Sequence, residues 1–98
     1  MILLNRNNQI LGNYLLSKGG LNGTIMDVRV IFQVALKSNA NSIVLSHNHP
    51  SGFLSASEAD RKITKKIAEA GRMLDIPLLD HIILTEEGYL SFADEGFL

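Results

Sequence analysis

The sequence predicts an α/β fold: an α-β sandwich with a mixed sheet and two main helices, in the order ββ-α-β-α-β-β. Three observations carry this. Two segments repeat apolar residues at helical spacing, compact β-branched runs read as buried strands, and glycine- or asparagine-rich stretches separate them. The 98 residues suit one domain, 1–98, with a real but modest core.

The elements follow in order. "ILLN" (Ile2 to Asn5) is a short apolar strand, "RNNQ" (Arg6 to Gln9) is turn chemistry, and "ILGNYLLS" (Ile10 to Ser17) returns as a second strand. "KGGLNGT" (Lys18 to Thr24) is a glycine-punctuated loop. Asp27 can cap a helix over Val28 to Ser38, where Val28, Ile31, Phe32, Ala35 and Leu36 form an apolar stripe. "NAN" ends it, and "SIVLS" (Ser42 to Ser46) reads as a buried strand. A second helix is predicted from Ser57 to Leu74, with Ile63, Ile67, Ala70 and Leu74 on its apolar face and Pro77 as its stop. Leu79 to Thr85 is a strand, "EEG" a tight turn, and "YLSFA" (Tyr89 to Ala93) the last strand.

Composition narrows the chemistry. With no cysteine, the chain has no disulfide, no thiol nucleophile and no Cys-ligated zinc ribbon, so any metal site must use His, Asp or Glu. A formal net charge of −1 gives no support to DNA association. The basic run "RKITKK" (Arg61 to Lys66) reads as a solvated helix face before a phosphate-binding patch. Nothing resembles a signal peptide, and no apolar run approaches the ~18 residues that span a membrane. A cytoplasmic location without membrane contact is the expectation.

The chemistry-bearing feature is "SHNHPSG", Ser46 to Gly52. Residues two apart in an extended segment point the same way, so His47 and His49 can converge, and Pro50 keeps His49 extended. A zinc site asks for a third protein ligand, and Asp60, in the first turn of the second helix, is the best candidate. Each residue also has a plainer reading. An isolated H-x-H pair is weak evidence for metal, and "SEAD" (Ser57 to Asp60) fits a capping box that needs no catalytic role. Capping and ligation are expected to compete for the Asp60 carboxylate. His81 fits a hydrogen-bonded structural histidine better than a ligand.

"SHNHPSG" followed by "SEAD" resembles the JAMM (MPN+, JAB domain) metallohydrolase motif, H-x-H-P and then S-x-x-D. "GGLNGT", "NANSIVLSHNHPSG", "EADRKITKKIAEAGRMLDIPLLDHIILT" and "YLSFADEGFL" look like its RadC-type branch, often labelled bacterial DNA repair proteins, over Leu4 to Leu98. The resemblance implies the JAMM/MPN sandwich, related to that of cytidine deaminases. It implies Zn²⁺ held by His47, His49 and Asp60, with Ser57 helping to stabilise an oxyanion at zinc-bound water. It also implies metallopeptidase or isopeptidase activity on a peptide or protein substrate.

Two departures qualify this. The family mechanism uses an upstream glutamate as general base, and the corresponding place falls at about Leu15 or Leu16; no glutamate precedes Glu58. Glu58 is expected to point away from the site. The N-terminal helical region usual in the family is expected to be missing, with Met1 at the first strand, and the edge near Ile2 is then expected to be exposed and open to another chain, as in a homo-oligomer. The expected function is an impaired zinc hydrolase; the alternative is a non-catalytic binding or structural module contacting protein or DNA. A nuclease reading of the "HNH" string fails, because that site uses a ββα hairpin with distant histidines.

Overall fold

The computed structural model describes residues 1–16, 26–48 and 56–98. Among them run β1 (Ile2–Leu4), β2 (Ile10–Asn13), α1 (Val28–Lys37), β3 (Ser42–Asn48), α2 (Glu58–Met73), β4 (Leu78–Thr85) and β5 (Gly88–Ser91). The predicted order and α/β class are those observed. The predicted loop Lys18 to Thr24 lies outside the described residues, as do His49 and Pro50.

The five strands form one mixed sheet in the order β2-β1-β3-β4-β5. β3 and β4 are parallel, joined through α2, while the other neighbours are antiparallel. Leu3, Ile43 and Leu45 on the sheet join Ile31, Phe32 and Ala35 of α1 and Ile67 and Ala68 of α2 in one buried core. Burying those side chains is the dominant favourable term in folding.

Local chemistry explains the boundaries. Asn5 Oδ1 accepts from the backbone N–H of Asn7 and Gln9, and Asn8 takes the left-handed conformation, closing the β1–β2 turn. Asp27 caps α1 through the N–H of Arg29. Left-handed Asn39 ends α1 and left-handed Asp75 ends α2, before Pro77 is reached. Directly after α2, the chain doubles back so closely that a Cβ on Gly71 would stand 2.5 Å from the Ile76 carbonyl oxygen.

Four expectations need correction. The edge of the sheet is not near Ile2: β1 lies inside the sheet between β2 and β3, with Met1, Leu3 and Leu4 buried, and β2 forms that edge. β2 ends at Asn13, short of Ser17, and β3 extends to Asn48 because it stays paired with β4 as far as Leu84. β5 stops at Ser91, since the N–H of Ala93 bonds the Asp80 carboxylate rather than continuing the ladder.

Candidate functional site

β3 delivers His47 to the helix-covered face. Side chains alternate along a strand, so Ile43, Leu45 and His47 share one side, and the first two lie in the core. Only 7% of the His47 side chain is exposed. The parallel neighbour β4 pairs Leu45 with His81 and His47 with Ile83. That register brings His81 Nε2 within 2.8 Å of His47 Nδ1.

α2 delivers Asp60. Ser57 is the N-cap, its Oγ accepting from Asp60 N–H at 3.0 Å, while Asp60 Oδ2 accepts from Ser57 N–H at 3.2 Å. The capping box predicted from "SEAD" therefore forms. The two carboxylate oxygens take different places. Oδ2 serves the cap and Oδ1 faces His47 Nε2 at 3.8 Å.

That separation decides what the pair can do. At 3.8 Å it is too long for a direct hydrogen bond. It is close to the roughly 3.4 Å between two ligand atoms on one tetrahedral zinc, from bond lengths of about 2.0–2.2 Å. An imidazole nitrogen and a carboxylate oxygen are also a borderline-hard donor set that suits zinc. His47 Nε2 and Asp60 Oδ1 are a donor pair compatible with a zinc ion. Among the described residues no group of three metal-binding side chains closes round one point, and His49, the expected third ligand, lies outside them.

Behind His47 stands a buried polar column. His81 is fully buried, its ring stacked on Phe92 with centroids 4.6 Å apart. Its Nδ1 meets Thr64 Oγ1 at 2.7 Å, and Thr64 Oγ1 donates to the Asp60 carbonyl at 2.6 Å. Thr64, also fully buried, escaped the sequence reading. The signal was its i+4 spacing from Asp60, which puts both on one face of α2. Asp80 anchors the column from below, accepting from His81 N–H, Ala93 N–H and the Ser91 hydroxyl.

Other site expectations resolve as follows. Glu58 points to solvent, 86% exposed, and pairs with Lys62 at 3.4 Å. Arg61 of the basic run lies over the Phe97 ring, 4.2 Å from its centroid. Asn13, Ile2 and Val44 stand level across β2, β1 and β3, and Tyr14 N–H bonds Met1 O. Beyond β2, Leu16 packs against the core while Leu15 is 68% exposed.

The family model of the RadC-like JAB domain matches residues 1–97. The chain is 51% identical over 96 residues to a UPF0758 protein of Flavobacterium johnsoniae, covering 98% of this chain and 42% of that protein. It is 39% identical over 98 residues to a UPF0758 protein of Symbiobacterium thermophilum, covering 100% and 42%. A UPF0758 protein of Listeria monocytogenes is 42% identical over 96 residues, covering 98% and 43%. The chain thus spans about two-fifths of the length of these curated relatives. With a family model matched over nearly its whole length and a mixed sheet carrying two helices, the chain belongs to the RadC-like JAB domain family.

Proposed function

We propose that this domain is a zinc-dependent hydrolase of the JAMM type, with His47, His49 and Asp60 as metal ligands and a peptide or isopeptide bond as substrate. The observation that carries the proposal is the His47 Nε2–Asp60 Oδ1 placement at 3.8 Å, both atoms facing each other without a direct bond. When bound, zinc would lower the pKa of a coordinated water and polarise the scissile carbonyl. The chain's own residues do the rest. The capping box fixes Asp60, the His81 contact fixes the ring of His47, and Ser57, whose Oγ accepts from Asp60 N–H, retains a hydroxyl proton to donate where negative charge develops.

Turnover is expected to be slow. Neither Leu15 nor Leu16, the expected base positions, can accept a proton, and general-base catalysis is worth about 10²–10⁴-fold. The test is metal analysis followed by peptidase assay of the wild type, the core-facing Leu16→Glu and the exposed control Leu15→Glu. A zinc-loaded protein activated by Leu16→Glu but not by Leu15→Glu supports the reading. Full metallation with no activity in any form sinks it.

The absence of an acidic residue at Tyr14, Leu15 and Leu16 also favours a second reading, a non-catalytic module that binds protein or DNA. Neither DNA contact nor a DNA repair role draws support from the net charge of −1. A DNA titration against salt separates the two readings. Affinity that falls steeply with salt, in a protein inert as a peptidase, favours the module.

A further inference from the structure

We propose that Thr64 and His81 are positioning residues that set the tautomer of His47 and so present its Nε2 lone pair to a metal. The inference rests on the zinc reading above only for its consequence. Its core, the direction of the hydrogen bonds, stands on geometry alone.

The direction follows from counting protons. The Asp60 carbonyl oxygen can only accept, so at 2.6 Å the single Thr64 hydroxyl proton must point at it. Thr64 Oγ1 then has only lone pairs to offer His81 Nδ1 at 2.7 Å, so the proton between them belongs to Nδ1. A neutral imidazole carries one N–H, so His81 Nε2 is an acceptor. The 2.8 Å contact with His47 must therefore be a donation from His47 Nδ1–H. The lone pair of His47 is left on Nε2, the atom that faces Asp60 Oδ1.

The reverse arrangement is worse. If Thr64 donated to His81, two oxygen lone pairs would oppose each other at 2.6 Å. The observed geometry makes three good hydrogen bonds one way and two with a repulsion the other. The backbone carbonyl of Asp60 thus orients His47 from behind, while its side chain faces the same ring from the front. One residue of α2 addresses both edges of the histidine.

Metal-ligating histidines commonly have their second nitrogen held by a carbonyl or carboxylate, and losing that partner typically weakens metal affinity about 10–100-fold. Here the partner is a second histidine, which could hold either tautomer. Thr64 is what removes the ambiguity.

The test uses ¹⁵N-detected NMR of the metal-free protein and zinc affinity from chelator competition, on the wild type, Thr64→Val and Thr64→Ser. In the wild type, His47 should show a pyrrole-type Nδ1 and a pyridine-type Nε2. Thr64→Val, of equal shape without the hydroxyl, should move the His47 proton to Nε2 and weaken zinc binding about 10–100-fold. Thr64→Ser should restore both. A wild-type His47 protonated at Nε2 overturns the proposal regardless of any variant, and so does Thr64→Val with unchanged tautomer and zinc affinity. A wild type that shows the Nδ1–H tautomer but binds no zinc supports the hydrogen-bond direction and sinks the zinc reading instead.

Discussion

His47 Nδ1 and His81 Nε2 lie 2.8 Å apart across the parallel β3–β4 pair, so the ring nearest the candidate site is held by one wholly inside the core. Site geometry and core stability are consequently tied through a single hydrogen bond. His81→Phe would keep the stack on Phe92 but take away the partner from His47 Nδ1 and from Thr64 Oγ1. Leaving a buried polar group unsatisfied costs about 1–3 kcal/mol. A fall in Tm of at least several degrees is expected by thermal denaturation; an unchanged Tm would show that the column contributes nothing to stability.

Ser57→Ala removes the acceptor for Asp60 N–H and should destabilise the domain by about 1 kcal/mol, with Ser57→Asn recovering most of it. Urea denaturation measures both. Zinc affinity should fall in Ser57→Ala as well, because the cap also holds the Asp60 carboxylate.

At Gly71, two effects oppose. Alanine in a helix interior is favoured over glycine by about 1 kcal/mol. Its Cβ, however, would stand 2.5 Å from the Ile76 carbonyl, which is backbone and cannot step aside. Gly71→Ala should therefore destabilise by about 1–3 kcal/mol, the usual range for overpacking. A stabilised variant in chemical denaturation would mean that the turn after α2 yields easily.

Asp80 accepts from two backbone N–H groups and the Ser91 hydroxyl, joining β4 to the end of β5. Asp80→Ala leaves these donors to find water, and the segment after Ser91 should lose order first. Hydrogen exchange should quicken at Ala93 and Asp94 before it does in the β3–β4 pair.

Asp27 supplies a pH dependence. The Arg29 backbone N–H, then the Arg29 side chain, hold its carboxyl below the ordinary value of 3.8. A depressed folded-state value means the contribution is complete above the unfolded value and is lost as pH falls through the folded one. The stability advantage of wild type over Asp27→Ala should then be constant near neutrality and shrink only below about pH 4. Tm measured for both across pH 3–7 checks this, and an advantage that shrinks already at pH 6 contradicts it.

The sequence by itself determined the fold class, the element order, the capping box and the two residues, His47 and Asp60, that come to face each other. These are legible because helical and strand periodicity, caps and short motifs are encoded within a few neighbouring positions. The JAMM-type motif also carried the family. What only the tertiary structure decided concerns relations between strands. The parallel register of β3 on β4 put His81 behind His47, and the α2 face put Thr64 behind His81. The same applies to the sheet edge, which the sequence reading placed near Ile2 and the strand order moved to β2. Packing likewise separated Leu16, against the core, from the exposed Leu15, which local sequence treats alike. Strand order and register are set by which apolar faces can be buried together, a property of the whole chain that no short stretch contains.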